Sequence, residues 1–577
     1  MSQAVQAEQV QRAEGYDRRW WILGVLCFSL LIIVMDNTIV NVALPTLVRK
    51  LHATESQLQW TVDIYSLMFA GLLLTMGTLG DRFGRGRTLA IGLGVFGLGS
   101  LASSFAGSSN VLILTRGFTG IGAALIMPAT LSILTNVFPP EERAKAIGIW
   151  AGVSGLAVAI GPVIGGLLLV HFWWGSIFLI NVPVCAAALV AGRLLIPNSR
   201  DLEARRLDPA GAALSIVGID ALVWGIIEAP NRGWTNGWIL AAFGFAAVVL
   251  AIFIAWELRS SHPMLNVKFF RNPRFTAANI SITLVFFALF GSIFFLTQYL
   301  QFVLGYSPLQ AGVRLVPLAL VMLVLAPIAG QLVQKLGSKA MVGFGMALGG
   351  VGLWYLGTTT TASGYAHVVT GLVLVAAGLA LSMVPATDSI MGSLPPGQAG
   401  VGSAMNDTTR EIGGALGVAI LGSILSSRYG PAIAKAVAGH GVPAAALGVV
   451  KSSVGGAIGV GQSLVASGQA AAGHALIASA NSTFITSMNV SLKVGAGVAV
   501  LGALVSALWL PNRPREQAEL AEGAGAGAER AEPEAGREPA VLEQLVHEVV
   551  AFGLMEPEDE LADENDAEVV ELPEAAS

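Results

Sequence analysis

The feature that most limits this chain is a recurring one: long apolar runs with almost no charge, separated by polar loops. A helix needs about 20 mainly apolar residues to cross roughly 30 Å of hydrocarbon at 1.5 Å per residue. Fourteen runs reach that length, at about 20–44, 58–79, 88–106, 110–137, 144–170, 175–196, 209–228, 237–257, 274–303, 309–334, 338–358, 365–391, 400–427 and 487–510. They are continuous rather than alternating, which excludes the strands of a membrane β-barrel. Only 12% of the residues are charged. Soluble domains average roughly 25%, so a water-soluble enzyme is excluded as well. The expectation is an all-α membrane protein.

Charge divides the chain. Residues 512–577 hold 19 acidic and 4 basic residues, whereas 1–511 hold 28 basic and 18 acidic ones. A basic, apolar body therefore carries an acidic appendage, expected to be disordered apart from a short helix near 541–550. The polar segment 1–19 leads into the first run without a small-residue cleavage site, so that run is expected to act as its own insertion signal. With the N-terminus placed in the cytoplasm, cytoplasmic loops hold fifteen Lys and Arg (Arg82, Arg85, Arg143, Arg205 and Lys339 among them) and outer loops hold six. That bias fixes a cytoplasmic N-terminus, and an even number of spans returns the tail to the same side. The stretch 428–486, rich in Ala, Gly, Val and Ser, reads as a long outer loop with short amphipathic helices.

A repeat organises the body. Gly77-Thr-Leu-Gly-Asp81-Arg82-Phe-Gly84-Arg85-Gly-Arg87 follows the second run, and Gly330-Gln-Leu-Val-Gln334-Lys335-Leu-Gly337-Ser-Lys339 follows the tenth. The Gly, Leu, basic and second Gly positions match. Eight runs separate the two copies. Two six-helix halves, 20–196 and 274–511, with two helices inserted in 197–273, account for this spacing, and paired halves around a central cavity are common in secondary transporters.

Three ionisable residues in the first half share one depth. Asp36 lies eight residues before Leu44, about 12 Å from the outer end. Asp63 and Arg116 come five and six residues into their inward-running helices, about 8 and 9 Å from that end. Charge in hydrocarbon is costly, so such groups face a cavity and pair. The plain alternative is a fixed ion pair that holds helices together; the functional reading weighs about twice as much. Desolvation disfavours an ionised carboxyl, and a nearby arginine favours it. A carboxylate that alternates between those surroundings can load and release a proton, which brings about 2.3 kcal/mol per 100 mV of membrane potential.

These residues stand in segments that resemble a known family. Met35-Asp36-Asn37-Thr38-Ile39-Val40-Asn41-Val42-Ala43-Leu44-Pro45 resembles the first-helix signature of the fourteen-helix drug:proton antiporters (EmrB/QacA type) of the major facilitator superfamily. Gln59-Trp60-Thr-Val-Asp63-Ile-Tyr65, the loop Gly77–Arg87, Arg116-Gly-Phe-Thr-Gly120, Phe178-Leu-Ile-Asn181-Val-Pro183 and Asn406-Asp-Thr-Thr-Arg410-Glu411-Ile-Gly413-Gly414 are similar to further family motifs. Gly155-Leu-Ala-Val-Ala-Ile-Gly161-Pro162-Val-Ile-Gly165-Gly166 resembles the antiporter motif. The likeness spans about 19–511. Thr119 stands where the family often has Gln, and Trp173-Trp174-Gly175 lacks its usual Arg.

The resemblance implies proton coupling through Asp36 and Arg116, with Asp63 assisting or meeting cationic substrate. It implies a cytoplasmic latch of Gly77, Asp81, Arg82, Gly84 and Arg85, although basic loops set topology in any protein. Read from spacing alone, Gly161 and Gly165 share a flat helix face and Pro162 bends the helix, which is also plain GxxxG packing. Asp407 with Glu411, and Asn406 with Arg410, lie i,i+4 on the thirteenth run, with Asp388 near; the group is a candidate gate or substrate contact, or an Asp407–Arg410 pair that neutralises itself. Trp60, Tyr65, Gln298 and Tyr299 are candidate pocket residues for flat cations, against ordinary packing as the commoner role. Asp220, near the middle of the seventh run, has no assigned role. Cys27 and Cys185 lie in apolar runs, no Walker loop is present and the histidines are scattered, so no metal or cofactor is expected.

The expected protein is a monomeric, proton-coupled exporter of lipophilic toxic molecules, cations included, in the plasma membrane. A proton-coupled uptake symporter of the same fold and a sensor signalling through the acidic tail stand as alternatives.

Overall fold

The structure, a computed structural model, describes residues 16–197, 208–260, 263, 267–394, 399–438 and 442–510. The segment 1–15, the 198–207 loop and the whole acidic tail, with the short helix expected near 541–550, lie outside them. Among the described residues the long helices are α1 Arg19–Leu51, α2 Glu55–Phe83, α3 Arg85–Ser104, α4 Ser109–Val137, α5 Pro140–His171, α6 Asn181–Leu195, α7 Pro209–Arg232, α8 Gly237–Arg259, α9 Pro273–Gln298, α10 Pro308–Leu336, α11 Ser338–Leu356, α12 Tyr365–Met391, α13 Ala399–Ala436 and α14 Ala470–Trp509. Among the described residues, eleven helical segments are long and apolar enough to cross a membrane. A belt of exposed apolar side chains (Leu98, Phe118, Leu194, Leu323) gives the bundle a surface suited to lipid.

The two copies of the repeated loop fold alike. Gly84, at φ 113°, is the single residue between α2 and α3; Gly337, at φ 79°, is the single residue between α10 and α11. Only glycine takes such φ values without strain, so both loops need it there. The likeness extends to the other ends of α2 and α10. Thr54 with Gln57, and Ser307 with Gln310, each form a reciprocal capping box that satisfies the first N–H groups.

The helices of 20–196 and those of 274–510, called here the first and second halves by sequence, meet chiefly along two pairs, α5 with α10 and α2 with α13. Small residues set both. A Cβ on Gly166 would lie 2.4 Å from Leu309 Cα, and one on Gly312 would lie 2.1 Å from the Pro162 carbonyl oxygen. A Cβ on Gly422 would lie 2.0 Å from Gln59 Nε2. These contacts cluster at the end of the bundle that holds Leu51, Glu55 and Pro308, hereafter the Glu55 end; Arg82 marks the opposite one.

The inserted helices are not peripheral. α7 packs on both α2 and α13. Asn231 Nδ2 donates to Ser56 Oγ (2.6 Å), and Ser423 Oγ donates to the Ile226 carbonyl (2.7 Å). Leu67, Val223, Ile227, Ala415 and Ala419 bury one apolar cluster there. α8 covers α7 through Gly218 against Leu250 and Gly225 against Phe243. Within 428–486, read above as a loop, most of the described chain is helical. α13 continues to Ala436, two short helices follow at Leu447–Ser452 and Val454–Ala466, and α14 begins at Ala470. Ala and Leu there favour helix, and Val450, Val454, Leu464 and Leu476 are buried.

Candidate functional site

Asp36, midway along α1, is fully buried. Its Oδ2 accepts from Arg116 Nη1 on α4, and its Oδ1 accepts from Asn181 Nδ2 at the start of α6, at 2.8 Å. Asn181 Nδ2 also reaches Ser100 Oγ on α3 (3.3 Å). Arg116 is 1% exposed. Its Nε donates to the Thr61 carbonyl of α2 at 3.3 Å, and its guanidinium carbon lies 4.4 Å from the Tyr65 ring centroid and 5.8 Å from that of Phe178. Tyr65 in turn donates to the Ile33 carbonyl at 3.4 Å. Five helices of the first half thus converge on one charge pair. Removing one member of such a pair leaves the other buried and uncompensated, which costs about 3–5 kcal/mol.

Asp63 is also fully buried, but it does not join the pair. Among the described residues neither carboxyl oxygen has a hydrogen-bond partner. Helix geometry gives the reason. Thr61, Tyr65 and Met68 form the α2 face against α4, where Gly117 and Gly120 let the backbones approach. Gln59, Asp63 and Ser66 fall at i, i+4 and i+7 on the opposite face. That face meets α13: Gln59 lies against Gly422, and Ser66 faces Glu411. Gln59, like Asp63, has both polar atoms buried without a partner. Equal depth placed Asp63 with Asp36 in the sequence; azimuth separates them.

In the second half, Arg410 Nη1 lies 3.5 Å from Asp407 Oδ1, and its Nη2 donates to Thr387 Oγ1 at 3.3 Å. Thr387 donates to Asn406 Oδ1 (3.1 Å), and Arg410 sits 5.5 Å from the Phe286 ring centroid. Glu411 Oε2 is buried without a partner among the described residues. Tyr65, against Arg116, and Ser66, against Glu411, are neighbours on α2, so one turn of that helix touches both charge groups. Asp388, near the end of α12, is exposed, and its backbone carbonyl and the Arg274 guanidinium of α9 both lie beside Gly392. Sequence reading did not single out Asn181, Thr387 or Arg274 as partners. Polar residues inside apolar runs were the signal available for them.

In α5, Gly161 lies against Thr38 and Gly165 against Ile39 of α1, while Gly166 and Pro162 meet α10. The glycines therefore serve two neighbours, one in each half. Gly77 lies 3.4 Å, measured from an added Cβ, from Pro128 of α4, and Gly84 caps α2 through its N–H to the Gly80 carbonyl. Arg82 is exposed beside the Phe83 ring. Arg85 is half-buried. The side-chain surroundings of Asp81 and of Gly155 lie outside the described residues. The four candidate pocket residues do not form one pocket. Trp60 packs on the α7 cluster, Tyr65 on Arg116, Gln298 bonds Glu55 of α2, and Tyr299 OH donates to the Ser363 carbonyl at 2.9 Å. Asp220 lies on α7 beside Ile216 and Val223, which touch Gly71 and the α2–α13 cluster, and its Oδ1 is buried without a partner.

An all-helical bundle of long apolar helices with a buried charge pair among them is the arrangement of a membrane transporter. The chain belongs to the Major Facilitator Superfamily, whose sequence profile matches residues 26–418. It is 35% identical over 511 residues to the tetracenomycin C resistance and export protein of Streptomyces glaucescens, covering 87% of this chain and 93% of that one. It is 33% identical to the multidrug efflux pump LfrA of Mycolicibacterium smegmatis, covering 85% and 95%. In fold it is similar to a bacterial homolog of the human lysosomal transporter Spinster, in an inward-facing and unoccupied conformation, at TM-score 0.58 and 18% identity, covering 86% of this chain and 98% of that one.

Proposed function

We propose that this protein exports lipophilic toxic small molecules, cations included, from the cytoplasm in exchange for protons. The relatives named for drug resistance and export support the cargo and direction. The coupling reading rests on one observation: Asp36, buried and held by Arg116 and Asn181.

The chemistry follows from that arrangement. With Asp36 ionised, the Arg116 charge is balanced across α1 and α4. A proton on Asp36 Oδ2 breaks that balance, while Asn181 still holds Oδ1. The freed guanidinium keeps the Thr61 carbonyl and the Tyr65 face. Its altered hold on α2 would pass through Tyr65 to Glu411 and the α2–α13 seam. Asp63 and Gln59, on the seam face of α2, are then the groups offered to a cationic passenger.

The remaining assignments belong to the same proposal. The three long helices α2, α3 and α5 join the eleven apolar segments to give fourteen spans, as two six-helix halves with α7 and α8 between them. The Arg82 end is cytoplasmic, with both termini on that side, and the Glu55 end faces out. Gly77, Asp81, Arg82, Gly84 and Arg85 latch the cytoplasmic end; the antiporter motif Gly155, Gly161, Pro162, Gly165 and Gly166 seals the passage against proton leak. Asn406, Asp407, Arg410 and Glu411 gate the inner half of the second lobe, with Asp388 bracing α12 on α9. The protein works as a monomer, and the acidic tail is dispensable for efflux.

The test is dye and drug efflux from cells and vesicles across a substrate panel, with and without a protonophore. Collapse of the proton gradient is expected to stop efflux, and Asp36→Asn to abolish it. Parental pumping by Asp36→Asn would remove Asp36 from the coupling step.

A further inference from the structure

At the Glu55 end the halves are joined by polar contacts as well as by glycine seams. Glu55 opens α2, just before the apolar run, and is 5% exposed. Its Oε1 accepts from Gln298 Nε2 on α9, in the other half, at 3.1 Å. One turn on, Gln301 Nε2 donates to the Val42 carbonyl of α1 at 2.8 Å. The other amide atom of Gln298, Oε1, is buried without a partner among the described residues.

Among the described residues no cationic group pairs with Glu55. α9 gives it Gln298, and α13 gives it Tyr429, whose hydroxyl donates to the Ser453 carbonyl. α4 offers Asn110 to the neighbouring Gln57, and α7 offers Asn231 to Ser56. Arg49 on α1 is turned to Thr46 and the Phe302 ring. An ionised carboxyl here gives up water for one amide N–H, and that exchange favours the neutral acid. The helix N-terminus favours the anion, but it travels with Glu55 and acts alike whether this end is open or shut.

We propose that Glu55 is a second proton-binding site, separate from Asp36, that closes the outer end by forming a reciprocal acid–amide pair with Gln298. The neutral carboxyl accepts from Gln298 Nε2 through its C=O and donates its O–H to Gln298 Oε1, which gives that buried atom its partner. The bond that breaks is one from Glu55 to water, and the proton comes from the outer solution. The sign follows. When the outer end opens, Glu55 is hydrated and loses its proton readily. A more acidic outside loads it and draws the end shut, returning the carrier toward the cytoplasm-open state. The direction of this step rests on the orientation and exchange proposed above.

The test uses the full chain in lipid nanodiscs, with Cys27 and Cys185 replaced by alanine and spin labels at the exposed His52 and Thr361, which flank the outer end on opposite halves. Distance distributions are read between pH 5.5 and 8.5. One proton per closure changes the open-to-closed ratio by up to about tenfold per pH unit. The parent is expected to close on acidification. Glu55→Gln, whose amide pairs with Gln298 as the neutral acid would, is expected to stay closed throughout, with less than a threefold change across the range. Gln298→Leu and Glu55→Ala are expected to favour the open form at every pH. A Glu55→Gln protein that follows pH as the parent does, or a parent that ignores pH, would overturn the proposal. Protonophore-insensitive efflux would instead overturn the exchange reading and leave pH-driven closure standing.

Discussion

Asp36 and Asp63 sit at nearly one depth on neighbouring helices, and both are fully buried. Yet one is held by an arginine and an amide, and the other has no hydrogen-bond partner among the described residues. Five helices of one half enclose Asp36; Asp63 looks out of that half toward α13. The difference teaches that depth says whether a charge is costly, while the face it occupies says what the protein can do with it. A paired acid is a switch that must be unlocked. An unpaired acid at a seam is a place for something else to bind.

The contrast can be broken most severely at Arg116. Arg116→Leu leaves Asp36 buried without its counter-charge and is expected to cost about 3–5 kcal/mol, seen as a large fall in folded yield and thermal midpoint in detergent. Asp36→Asn keeps a neutral acceptor for Asn181, so the protein should fold while proton-driven efflux falls to background. Next comes the seam: Gly166→Val forces a side chain into the Leu309 backbone at an overpacking cost of about 1–3 kcal/mol. Efflux in vesicles should drop about tenfold because the outer end cannot shut. Asp63→Asn inverts the pattern. Losing an unpartnered carboxyl should leave the thermal midpoint unchanged or raised, while efflux of cationic dyes falls and that of neutral drugs persists. A destabilised Asp63→Asn would mean that the acid has a structural partner after all. The smallest effect belongs to Asp407→Asn. Its 3.5 Å contact with Arg410 is one step of an i,i+3 pair, so the stability change should stay under about 1 kcal/mol by thermal unfolding.

Much of this was legible in the sequence, for physical reasons that can be named. Apolar runs must be helices in lipid, so the long helices and the repeat could be read directly. The glycines at 84 and 337 turned out to be single-residue junctions at positive φ, because a matched motif encodes matched backbone geometry. Asp36 and Arg116 could be joined by depth arithmetic because charge in hydrocarbon has few stable options. Azimuth was harder. Whether Asp63 faced α4 or α13 depended on which side of α2 carried Gly117 and Gly120 as neighbours, and only packing decides that. Glu55 escaped notice because it precedes the apolar run and looked like a loop residue. Asp220 was set aside as part of an inserted pair, although α7 lies on the seam between the halves.

That placement of α7 has a consequence for how cargo dissolved in the bilayer can approach. On one flank the gap between the lobes is roofed by an extra helix, bonded to α2 through Asn231 and to α13 through Ser423. On the other flank α5 and α10 meet directly, glycine against backbone, and among the described residues neither α7 nor α8 packs substantially on them. A greasy molecule drifting sideways through the leaflet finds one wall boarded over and one bare, so any lateral doorway belongs on the α5–α10 side.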